Sequence, residues 1–267
     1  MGVKILFLIN DGEHRKAATM LGSLAKLDRT FSQTSSEAVF IVLPIVHYEA
    51  IYIPLVELLV KSGFKDWDLI EPVLKPLSVD EISMNKMWLR LFADGTRALK
   101  VEYLADEPSK NEGLLHEFLA RVKYKENMTI NTLFGMTKNQ LIPESTDKSN
   151  LFSEYLLAAE RDQQANEERK KELENITWSS IKNYRNVVGH LLALTANARL
   201  LNLYEDIAVT DLRILLLNVL IQSGEKPLNE IINDPALANP YTNEPPALED
   251  NNICYVLKET TCISVMH

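Results

Sequence analysis

The chain has 267 residues, 46% hydrophobic and 24% charged, the balance of a soluble globular protein with one large domain or two smaller ones. A formal net charge of −9 excludes a protein that coats nucleic acid or an anionic membrane with its whole surface, though not a small basic site within an acidic body. Two cysteines, Cys254 and Cys262, are too few for a disulfide framework or a four-thiolate zinc site, so the expectation is reduced thiols in a cytoplasmic protein.

In chain order, VKILFLIN (residues 3–10) is a short apolar run rich in β-branched and aromatic residues, and it ends in the turn signal Asn-Asp-Gly. It is expected to be a buried strand. Residues 13–27 carry apolar side chains at Ala17, Met20, Leu21, Leu24 and Leu27, which is helical spacing. AVFIVLP (38–44) reads as a second buried strand stopped by Pro44. Strand, helix, strand in that order predicts a βαβ unit with a parallel pair. Further helices are expected from AIYIPLVELLVKSGF, closed by Gly63, from VDEISMNKMWLRLF and from NEGLLHEFLARV. The fold class expected for residues 1–125 is therefore an α/β domain with a small, mainly parallel sheet. In such sheets ligands sit at the loops following the strands, which makes Asn10, Asp11 and Gly12 the candidate ligand-binding residues.

Residues 126–148 read as a linker. From 149 to 232 the pattern is that of an all-α helical bundle: a long helix with dense mixed charge, a second around residues 178–194, and an apolar third ending near Gly224. DPALANPYTNEPPALEDNN reads as an irregular tail, with ICYVLKETTCISV able to form a late hairpin, so that 233–267 stand apart. The apolar run 38–60 is broken by Pro44, His47, Glu49, Pro54 and Glu57, which argues against a membrane span, and VKILFLI is too short for a signal peptide.

Glycine-rich phosphate loops, His-Glu-x-x-His and Gly-x-Ser-x-Gly do not occur, and the five histidines are scattered. No metal or cofactor is expected. The stretch NYRNVVGHLL (183–192) is different. A helix rotated by 100° per residue puts Ile181, Tyr184, Val188, Leu191 and Leu192 on one face. Asn186 and His190, four apart, neighbour each other away from that stripe, and Arg185 stands on the flank. Between Glu174 and Glu205 there is no acidic residue, whereas Lys182, Arg185 and Arg199 are positive. An acidic chain has thus kept a locally basic strip suited to a phosphate.

Arg185, Asn186, three intervening residues and His190 resemble the signature of the HEPN ribonucleases. The order of parts is similar to the CRISPR-associated accessory ribonucleases, which place an α/β ligand-sensing domain before a helical HEPN domain. The resemblance implies a cytoplasmic, homodimeric, metal-independent endoribonuclease acting on single-stranded RNA in antiviral defence. It implies catalytic roles for Arg185, Asn186 and His190, and regulation by a cyclic oligonucleotide at the N-terminal domain. Two other readings fit the residues: a non-catalytic, dimeric ligand-binding or interaction protein with a helical dimerisation domain, and a small-molecule enzyme of the N-terminal half.

Overall fold

The computed structural model describes residues 1–35, 38–98, 126–143, 145, 147–174, 201–223, 226–249, 252–257 and 260–264. The chain divides into two compact units, one made of residues 1–83, 145–152 and 202–267 and the other of residues 84–144 and 153–201.

The first unit overturns the expected α/β fold. Among the described residues of 1–98 there is no strand. Residues 3–10, expected as a strand, lie in helix α1 (Gly2–Asn10), which buries Ile5 and Ile9, one turn apart, against α2 and α4. The second expected strand lies in α3 (Ala38–His47), which runs through Pro44 instead of ending there. Both runs are only as long as two turns of helix. At that length β-branched composition does not separate a buried strand from a buried helix, and packing decides. After α3 the backbone widens into one π-helical turn, Tyr48–Tyr52, and continues as α4 (Ile53–Lys61). The run Val42–Lys61 is long and apolar enough to cross a membrane by composition, and 33% of its apolar window is buried within the protein, Tyr48, Tyr52, Leu55, Val56 and Leu59 included.

Helix α2 (His14–Thr34) is the spine of this unit. It packs on α1, α3, a short 3₁₀ turn (Trp67–Ile70) and α5 (Glu71–Leu74). Its buried stripe is Ala17, Ala18, Leu21, Gly22, Ala25, Asp28 and Arg29. Leu27, expected on that stripe, is exposed. Small residues let neighbouring backbones come close, most of all at Gly22, where a Cβ would run into the Leu69 carbonyl well inside van der Waals contact. Residues 79–92, expected as one helix, break after α6 (Val79–Ile82), whose start is fixed by a capping box between Ser78 and Glu81. The apolar helix Leu201–Ser223 is buried on nearly every side, through Ile207, Ala208, Leu212, Ile214, Leu216, Leu217 and Val219.

Three short strands close the first unit: β1 (Ala247–Glu249), β2 (Asn252–Val256) and β3 (Thr260–Ser264), in the order β1-β2-β3 and antiparallel throughout. ICYVLKETTCISV supplies the β2–β3 pair. Cys254 and Cys262 face each other across it and are joined in a disulfide, which corrects the expectation of free thiols. The irregular stretch before the sheet is well anchored. The Tyr255 hydroxyl donates to the Leu237 carbonyl, and Asn239 Nδ2 donates to the Val256 carbonyl at 3.0 Å.

In the second unit, α7 (Asn85–Ala98) packs against α8 (Glu126–Gln140), with Phe92 and Phe134 edge to face at 5.7 Å. Helix α8 fills most of the stretch 126–148 that reads as a linker. The Asn85 amide grips the backbone of Ile142 in both directions, at 2.8 and 3.1 Å. The Met84 amide donates to the Tyr155 hydroxyl at 2.8 Å. Tyr155 belongs to α9 (Lys148–Glu174), whose second half carries the expected solvated ion pairing, for example Lys170 with Glu174.

Candidate functional site

Towards its C-terminal end, α2 buries two charged residues where an apolar stripe would continue. Asp28 is 4% exposed and Arg29 8%. Such groups must find partners inside the protein, because desolvation of an unpaired charge is prohibitive. Arg29 finds five. Its guanidinium donates to the carbonyls of Pro72, Lys75 and Pro76 and to the Tyr48 hydroxyl, and pairs with Glu81 Oε2 at 2.7 Å. The capping carboxylate of α6 is therefore also the counter-ion of α2. Burial pushes the Tyr48 hydroxyl up to about 12, against the opposing pull of the Arg29 charge.

Asp28 looks the other way. One of its carboxylate oxygens meets His47 Nδ1 at 2.6 Å and also accepts the Tyr52 hydroxyl proton. Burial first, and then the hydrogen bond to Asp28, raise the ionisation of Tyr52 above its ordinary range. The π-helical turn brings Tyr48 and Tyr52 together, ring centres 5.0 Å apart and nearly perpendicular, so that the two tyrosines serve the two α2 charges side by side. The His47 side chain keeps 23% of its surface exposed. A carboxylate on Nδ1 fixes the ring so that Nε2 is the nitrogen left for a proton or ligand.

A third polar centre joins distant parts of the chain. Asp211, fully buried, accepts the Leu77 amide at 2.6 Å, the Lys148 ammonium at 2.7 Å and the Tyr241 hydroxyl at 3.0 Å. Burial raises the Asp211 carboxyl above its usual range, with Lys148 pulling the other way. Burial and the Asp211 charge raise Tyr241. The arrangement ties together the α5–α6 connection, the start of α9, the helix 201–223 and the tail.

The expected ligand-binding residues occupy the turn between α1 and α2. Asn10 is the last residue of α1, Asp11 caps it, and Gly12 takes the left-handed conformation (φ 77°) that reverses the chain. Gly12 lines an open cavity of about 890 Å³ with Lys4, Leu8, His14, Arg15 and Met20 among its walls. Asn10 and Asp11 do not line it. Lys16 also reaches the cavity and pairs with Glu13 at 2.8 Å, whereas Arg15 pairs with Asp66 at 3.4 Å. Glu13 lines the cavity as well, so that Lys4, His14, Arg15 and Lys16 over the apolar floor of Leu8 and Met20 leave a net positive lining. Gly12 and its turn thus border a cavity, though on helices and not at the end of a strand.

Arg185, Asn186 and His190 lie outside the described residues, as does the helix expected at 178–194. Asp28, Arg29, His47 and Tyr52 escape pattern reading, yet one signal for the first two is present in the sequence. The buried positions 18, 21, 22 and 25 extend at helical spacing onto 28 and 29, so that a charged pair falls on an apolar stripe. Among the described residues, metal-ligating atoms within 4.8 Å of one another occur at Glu249, Cys254 and Cys262. Comparison with protein-family models, with curated proteins and with solved structures finds no match.

Proposed function

We propose that this protein is a metal-independent endoribonuclease of HEPN type, acting as a homodimer on single-stranded RNA in the cytoplasm, in a defence role. The observation that carries the reading is the sequence Arg185-Asn186-x-x-x-His190, set in a thirty-residue stretch without a carboxylate in a chain of net charge −9. The helical character of the described residues to either side of that stretch supports it. RNA carries its own nucleophile, the 2′-hydroxyl beside the scissile phosphate. His190 moves protons to and from the reacting oxygens, Arg185 clamps the phosphate and neutralises charge developing on it, and Asn186 orients the imidazole or a phosphate oxygen. The products are a 2′,3′-cyclic phosphate and a 5′-hydroxyl. Regulation by a cyclic nucleotide in a parallel-sheet sensor is not part of the proposal, because the N-terminal segment is helical.

The test is cleavage of single-stranded RNA by the purified chain in EDTA. Cleavage lost in both His190→Ala and Arg185→Ala supports the assignment, and cleavage that persists in either refutes it. The basic cavity beside Gly12 favours a second reading, a ligand-binding protein for an anionic small molecule. On that reading the wild-type chain does not cleave RNA, and phosphate-bearing ligands protect it against thermal unfolding unless Lys4 and Arg15 are reversed to glutamate.

A further inference from the structure

The C-terminal sheet holds a donor set that the nuclease reading does not use. Cys254 and Cys262 are directly opposed across β2 and β3, so their side chains leave the sheet on one face. Ala247 is opposite Cys254 on the other side and shares that face. Glu249, two residues along β1, returns to it, diagonal to Cys254. Three adjacent strands thereby place two sulfurs and a carboxylate oxygen within 4.8 Å of one another. Cys254 is buried, whereas Glu249 and Cys262 are open to solvent. Among the described residues the Glu249 side chain has no ion pair or hydrogen bond.

We propose that these residues form a redox-gated zinc site: the reduced protein binds one Zn²⁺ through Cys254, Cys262 and Glu249, and formation of the Cys254–Cys262 disulfide expels it. Thiolates select soft or borderline-soft cations such as zinc, and zinc also accepts a Glu oxygen as ligand. With Zn–S bonds near 2.3 Å, tetrahedral geometry separates the two sulfurs by about 3.8 Å, which rotation about χ1 of two facing cysteines provides once the disulfide is open. Three protein ligands leave the fourth position to water, on the side where Glu249 and Cys262 meet solvent. The inference is independent of the nuclease reading.

The oxidising partner is a low-molecular-weight disulfide. The exposed Cys262 thiolate attacks one of its sulfurs, forming a mixed disulfide and releasing one thiolate. The Cys254 thiolate then attacks Cys262 Sγ, closing the protein disulfide and releasing the second thiolate. Two electrons pass from the cysteine pair to the small disulfide. The zinc ion changes no oxidation state; it loses both sulfur ligands and leaves with water in their place.

The experiment uses the full chain, reduced with a phosphine and then titrated with Zn²⁺ in competition with a chromophoric chelator. A parallel Co²⁺ titration reads thiolate-to-metal charge transfer. The expected result is one equivalent bound with a sulfur charge-transfer band, both lost after treatment with oxidised glutathione and both recovered on reduction. Glu249→Gln is expected to weaken binding by about tenfold or more while keeping the sulfur band. Cys254→Ser/Cys262→Ser is expected to abolish both. The proposal is overturned if the reduced wild type binds zinc no better than its oxidised form. It is equally overturned if Glu249→Gln binds as tightly as the wild type. The oxidised wild type replaces the double variant as reference should that variant not fold.

Discussion

Gly22→Ala tests how the first unit is packed. A glycine in the middle of a helix costs about 0.5–1 kcal/mol relative to alanine, so on local grounds the substitution stabilises. The surroundings oppose this. A Cβ at residue 22 would overlap the Leu69 carbonyl oxygen and stand 3.2 Å from the Leu69 carbonyl carbon and 3.5 Å from Ile70 Cα. All three are backbone atoms of the 3₁₀ turn Trp67–Ile70, and none can rotate away. The helix and the turn must separate, with overpacking at the upper end of its usual range, about 3 kcal/mol. The net expectation is a loss of about 2 kcal/mol. Gly135 is the control, because it too lies inside a helix, α8, but an added Cβ there meets no atom of the described residues within 4 Å. Gly135→Ala should gain about 0.5–1 kcal/mol. Urea unfolding followed by circular dichroism gives both midpoints. A Gly22→Ala protein as stable as the wild type would refute the close approach of α2 to residues 67–70.

Replacing Arg29 by Met strands Glu81 and three carbonyls in the interior, with an expected cost of about 3–5 kcal/mol. The double variant Arg29→Met/Glu81→Leu should recover part of it, since no charge is left unpaired; chemical denaturation of the set gives the coupling. Alkaline stability follows from the tyrosines. Tyr48 titrates higher in the folded chain than in the unfolded one, so its contribution is fully present below pH 10 and lost as the pH rises through about 12. Tyr52 and Tyr241 are shifted in the same direction. A spectrophotometric titration should therefore show tyrosines that ionise only together with unfolding, and ionisation of all nine before any loss of helix would contradict the buried hydroxyls. Asp28→Ala removes the oxygen that His47 and Tyr52 share. A hydrogen-bonded Nδ1 proton of His47 is expected by NMR in the wild type and should be lost in the variant; its persistence would show that another group holds the ring.

Much of the helical content is legible in the sequence. The spacing of Ala17 and Leu21, the charge-dense run in α9 and the apolar run at 207–220 mark helices with no tertiary information, because the 3.6-residue period is written into the side chains. The β-rich stretch ICYVLKETTCISV marks the late hairpin, whereas the pairing of its two cysteines came only with the strand register. The basic, carboxylate-free stretch around Arg185, Asn186 and His190 is a property of sequence alone. Tertiary structure decided the rest. Residues 3–10 and 38–44 are helices because Ile5 and Ile9 must share one face against α2 and α4, and because α3 continues through Pro44 towards its π turn; the same β-branched residues would suit a strand elsewhere. The partners of Asp28, Arg29 and Asp211 lie 19 to 63 residues away in the clearest cases, and no local pattern specifies them. A buried charge announces only that it needs a partner. Which side chain or carbonyl supplies it depends on which helices the fold brings together.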